Sequence, residues 1–90
     1  MEVFNIVIAR IDTIPGRLVV VPCTERLEFS RRSIFTDSEF LDFLTELGVH
    51  SNEARSVLER SCPAPKSFEL CLALSDKQIE YALSYFPPAA

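Results

Sequence analysis

Residues Phe35 to Arg60 read FTDSEFLDFLTELGVHSNEARSVLER, and they decide the fold. The spacing predicts two helices joined at Gly48. Thr36 and Glu39 stand in the register of a capping box, each able to satisfy an orphan backbone donor at a helix start. Phe35 just before the cap and Phe40 four residues after it form a hydrophobic staple. Phe40, Phe43, Leu44 and Leu47 then recur at the intervals of one buried helix face. Gly48 is the expected left-handed stop. Ser51 is expected to cap a second, shorter helix, with Glu53 near its positive end. Ala54, Val57 and Leu58 form the buried stripe of that helix. Pro63 and Pro65 close it, because proline cannot extend the hydrogen-bond ladder.

Strands precede this pair. Glu2 to Arg10 is rich in Val, Ile and Phe, and Ile6, Val7 and Ile8 are consecutive, which suits a central strand. Ile14-Pro15-Gly16-Arg17 has turn chemistry. Arg17 to Pro22 is a second strand, and so short a link implies an antiparallel hairpin. Arg26 to Ser30 alternates, with Leu27 and Phe29 on one side, and is expected as a third, exposed or edge strand. After the helix pair, Ser67 to Leu74 alternates most regularly of all. Ser75 and Gln78 then set a second capping box, and Ile79, Ala82, Leu83 and Phe86 form the core face of a third helix.

The order is β-β-β-α-α-β-α. It predicts one α+β domain over residues 1–90: an antiparallel or mixed four-stranded sheet with helices mainly on one face. Phe40, Phe43, Leu47, Leu70, Leu72, Ile79 and Leu83 are expected to share its core. Three short helices can hardly cover both faces of such a sheet, yet the first two strands are apolar on both sides. Self-association through the sheet answers this, and a homodimer is expected.

Composition bounds the function. The hydrophobic fraction of 48% is that of a folded chain, and seven Phe with no Trp fill a thin core. A net charge of −4 disfavours nucleic acid and anionic membranes. No basic start and cleavage site mark a secretory leader, and no stretch approaches a membrane span, so a cytoplasmic protein is expected. Cys23, Cys62 and Cys71 lack paired spacing and are expected as reduced, mostly buried residues.

No catalytic or cofactor set stands out. With two glycines there is no phosphate-cradling loop. One His among scattered carboxylates makes no metal site. A thiol enzyme pairing His50 with Cys23, Cys62 or Cys71 ranks last, since no motif surrounds any of these residues. The chain is expected to be non-enzymatic and without cofactor.

Two surfaces remain. The first helix carries Asp37, Glu39, Asp42 and Glu46 and no basic residue. Glu39, Asp42 and Glu46 share one stripe opposite the Phe face. The helix dipole accounts for Asp37 and Glu39, but Asp42 and Glu46 are like charges four apart, which is slightly destabilising. A plain solvated face is the bland explanation. A docking surface for a basic partner, or for Arg31 and Arg32 of a second subunit, is the sharper one. The other surface is the second helix. Leu47-Gly48-Val49 followed by Ala54 and Val57, with Phe43 before them, resembles the DNA-binding helix-turn-helix. That resemblance implies that Ser51, Asn52, Arg55 and Ser56, with Glu59, face a major groove. Leu44 departs from the small residue usual in that motif, and Glu53 and Glu59 cancel Arg55 and Arg60. The leading expectation is therefore a small regulator, adaptor or inhibitor, phage- or plasmid-type or cellular, that acts by protein contact. A DNA-binding regulator using residues 36–61 is the alternative.

Overall fold

A computed structural model describes residues 1–23 and 32–86. Its elements are β1 (Glu2–Arg10), β2 (Arg17–Pro22), β3 (Ser33–Thr36), α1 (Asp37–Glu46), α2 (Ser51–Arg60), β4 (Lys66–Leu74) and α3 (Asp76–Leu83). The strands form one antiparallel sheet in the order β3-β2-β1-β4. This is the expected α+β fold in the expected order. Among the described residues the strand that precedes the helix pair is β3, Ser33–Thr36, which was not expected and runs straight into α1. The strand expected at Arg26–Ser30 lies outside the described residues.

Alternation assigns the two faces of the sheet. Phe4, Ile6 and Ile8 of β1, Leu18 and Val20 of β2 and Phe35 of β3 are buried on one side. Against them pack Phe40, Phe43 and Leu44 of α1, Ala54 and Val57 of α2, and Ile79 and Ala82 of α3. Each fully buried large apolar side chain contributes about 1.5–3 kcal/mol, so this single layer supplies most of the driving force. Of the expected core, Phe40, Phe43, Leu47 and Ile79 are buried. Leu70, Leu72 and Leu83 are only partly so. For Leu70 and Leu72 the reason is position: β4, the most regular strand in the sequence, is at the edge of the described sheet, whereas Leu83 is the last residue of α3. On the other face Val3 is 66% exposed and Ile34 48%. The helices thus cover one side of the sheet.

The helix ends follow the local chemistry closely. The Thr36 hydroxyl accepts from Glu39 N–H at 3.1 Å while the Glu39 carboxylate accepts from Thr36 N–H at 2.9 Å. The staple is in place, with the Phe35 and Phe40 rings 6.1 Å apart. α1 ends in a full Schellman motif: Gly48, at φ +88°, donates to the Thr45 carbonyl, and Val49 donates to that of Leu44. Ser75 and Gln78 form the second capping box, and Gln78 also donates its side-chain amide to the Leu47 carbonyl at 3.2 Å. That bond ties the start of α3 to the end of α1. The cap of α2 differs from expectation. His50, not Ser51, is the N-cap, its Nδ1 accepting from Asn52 N–H at 3.2 Å. The helix gains a residue by this and is ten residues long, equal to α1.

Arg10 closes the open end of the layer. It shares the parity of Phe4, Ile6 and Ile8 and is buried. Its Nε donates to Ser61 Oγ at 3.1 Å, and its Nη2 donates to Asp37 Oδ1 at 2.9 Å. One guanidinium therefore joins the end of β1 to the start of α1 and the end of α2.

Candidate functional site

The acidic stripe of α1 divides into two parts with different roles. Glu39 belongs to the capping box. The Thr36 backbone N–H holds its carboxyl below the usual carboxylate range, with the Thr36 hydroxyl and the nearby Arg17 charge acting in the same direction. Glu39 is thus accounted for by helix formation. Asp42 and Glu46 are exposed and have no ion-pair partner among the described residues.

The fold brings Tyr81 within reach of the charges of these two carboxylates. Tyr81 and Tyr85 lie one turn apart at the end of α3, and their hydroxyls hydrogen-bond at 2.9 Å. Tyr85 is held by the core, its ring 5.0 Å from Phe43 and 5.5 Å from Phe35. The Tyr81 ring meets Tyr85 edge-on at 5.4 Å. The Tyr81 hydroxyl is pushed up to about 12, first by the Tyr85 hydrogen bond, then by burial, and then by the Tyr85, Glu46 and Asp42 charges. Both carboxylates are therefore within electrostatic reach of the phenol. The result is a surface on α1 and α3 with two carboxylates that have no ion-pair partner among the described residues and with two half-buried rings. Such a surface can accept charge-assisted hydrogen bonds from a guanidinium or ammonium group and can offer ring faces to the same cation.

The other expected site residues are placed as follows. Arg32 is exposed just before β3, and Arg31 lies outside the described residues. Ser51, Asn52, Arg55 and Ser56 are exposed on α2. The Ser56 hydroxyl is turned back onto the Asn52 carbonyl at 3.1 Å. Arg60 lies over the Phe68 ring at 4.5 Å, which engages one of the two arginines of that helix with the sheet. No protein family, curated protein or solved structure matches this chain.

The cysteines correct the expectation of burial: Cys23, Cys62 and Cys71 are all exposed free thiols. Two of them follow from the sheet. Cys71 points to the uncovered face, and Cys23 lies just past the end of β2. His50 uses its Nδ1 as a helix cap. Among the described residues no group of three His, Cys, Asp or Glu side chains is placed to hold a metal ion. Nor is any described helix long and apolar enough to cross a membrane.

Tyr81 and Tyr85 were not among the candidates from sequence. Their four-residue spacing puts them on one side of α3, but only the packing of α3 against α1 brings that side to the acidic stripe.

Proposed function

We propose that this domain is a non-enzymatic protein–protein interaction module of the cytoplasm, a small regulator, adaptor or inhibitor that takes a basic segment of its partner on the Asp42–Glu46–Tyr81–Tyr85 surface. It does so as a homodimer associated through the sheet. The reading is supported by the hydrogen-bonded tyrosine pair and by the reach of the Asp42 and Glu46 charges to Tyr81, two carboxylates without an ion-pair partner among the described residues. Like charges four apart cost α1 a little stability, so a role outside the helix accounts for them. Tyrosine beside carboxylate also suits an interface, because the ring supplies contact area while the acids set charge specificity.

The two tyrosines are the chain's whole complement, and there is no Trp. Intrinsic tyrosine fluorescence therefore reports on this surface alone. Titration with an arginine-rich peptide at low salt should give a saturable change. Asp42→Lys with Glu46→Lys should weaken that binding about tenfold or more, the order expected when charge-assisted hydrogen bonds are lost. The effect should fade with salt, since exposed charges are screened beyond about 10 Å at 0.1 M. Equal binding by the charge-reversed variant would sink the assignment of this surface. Duplex DNA binding by the wild type at physiological salt, abolished by Arg55→Ala, would replace it with the groove-reading helix.

A further inference from the structure

The edge of β4 has the chemistry of an unfinished sheet. Its nine residues pair one-to-one with β1, from Glu2 opposite Leu74 to Arg10 opposite Lys66, without a bulge. On its other side it meets no strand among the described residues. Natural edge strands are usually kept short, bulged, or broken by Pro or charge. The opposite edge, β3, is four residues long. β4 is long and unbroken, has neither Gly nor Pro, and carries charge only at Lys66 and Glu69.

Which backbone groups face outward follows from one bond. Cys23 N–H donates to the Asn5 carbonyl at 2.8 Å, so the Asn5 backbone points to β2. Pro22, which has no N–H, is the partner of Ile6 and fits the same alternation. Successive residues of a strand point their backbone groups to opposite sides. Phe4, Ile6 and Ile8 therefore bond to β4, through Leu72, Leu70 and Phe68. That leaves the N–H and C=O groups of Ser67, Glu69, Cys71 and Ala73 directed away from the sheet. All four of these residues are exposed. Such a row is satisfied by another extended backbone.

We propose that the free edge of β4 pairs antiparallel with β4 of a second copy, about a two-fold axis at Leu70, to make one continuous sheet across the dimer. The inference rests on the reading that the domain self-associates and names the surface that does it. Of the symmetric registers, this one overlaps the strand over its whole length. It sets Phe68 opposite the second copy's Leu72, and Leu70 opposite its own counterpart. These side chains lie on the helix-covered face and are only half buried in one chain, so the pairing extends the core across the junction. Glu69 falls opposite Cys71. An axis one pair nearer the start of β4 would set Glu69 against its own copy, and like charges directly opposite are unfavourable.

Sedimentation at micromolar concentration should show a dimer. Cys71→Pro removes an outward N–H and leaves the β1–β4 ladder intact, so it should give a folded monomer. A crosslink provides a second readout that does not depend on tolerating proline. With Cys23 and Cys62 changed to Ser, Glu69→Cys places the introduced thiol opposite the second copy's Cys71, with Cα atoms about 5.5 Å apart, within disulfide reach. Mild oxidation should then yield a covalent dimer. The same background without Glu69→Cys should not, since Cys71 and its counterpart are diagonal neighbours about 7–8 Å apart. A wild type that stays monomeric overturns both the edge and the homodimer, while leaving the arginine-peptide test untouched. A dimer that forms no Glu69→Cys crosslink and is dispersed by Val7→Glu on the open face overturns the edge alone.

Discussion

At the scale of single residues, the tyrosine pair makes a prediction in alkali. The folded Tyr81 hydroxyl holds its proton up to about 12, whereas the unfolded chain releases it near 10. The folded state therefore binds the proton more tightly. Stability from this site is fully present below pH 10 and is lost as pH rises from 10 to 12. Absorbance at about 295 nm, which follows tyrosinate, should rise late for Tyr81, and Tyr85→Phe should return the transition toward the ordinary value. Transitions unchanged by Tyr85→Phe would mean that the hydroxyl pair does not form in solution. The four-residue spacing of the pair was readable, but its surroundings were not, because Asp42 and Glu46 are far away along the chain. Arg10 is different. Read as the polar end of a strand, it passes for a surface residue, but its parity with Phe4, Ile6 and Ile8 was visible from the start. What was not visible is that Ser61 and Asp37 would arrive to satisfy it, and without such partners a buried guanidinium would be costly.

At the scale of elements, legibility followed how local the determining chemistry was. Both capping boxes, the staple and the Gly48 stop depend on residues within about one helical turn, and each was readable. The cap of α2 differs from the sequence reading by one residue because Ser is the commoner cap and His is rarely one. Here the His50 Nδ1 takes the Asn52 N–H. His50→Ala should accordingly cost about 0.5–2 kcal/mol in urea unfolding, with His50→Asn retaining most of the stability. Ser51→Ala should change little. A larger loss from Ser51→Ala than from His50→Ala would restore Ser51 as the cap. β3 was missed for a tertiary reason. Four residues are too short for a period to register, and Phe35 was fully explained as half of a staple. It serves both elements, pairing opposite Leu18 in the sheet and packing on Phe40 and Phe43.

At the scale of the molecule, one-sided covering of the sheet sets what remains for function. The sequence showed two-faced apolar strands and too few helices, which leaves exposed apolar positions such as Val3 and Ile34. It could not show that regular β4 would be an edge strand, since strand order depends on pairings distant in sequence. The charges are likewise unevenly placed: α1 has no basic residue in its last turn, although cations there would suit the helix dipole. Asp42 and Glu46 are thus unfavourable for the helix that carries them. If their role is binding, removing them should separate stability from function. Asp42→Asn with Glu46→Gln should leave the unfolding free energy unchanged or raise it by about 0.2–0.5 kcal/mol, through relief of the repulsion between the two carboxylates. The same variant should lose affinity for an arginine-rich peptide in tyrosine fluorescence titrations. A clear loss of stability would instead make these residues part of the scaffold. Unchanged peptide affinity would transfer the recognition of partners from α1 and α3 to the sheet.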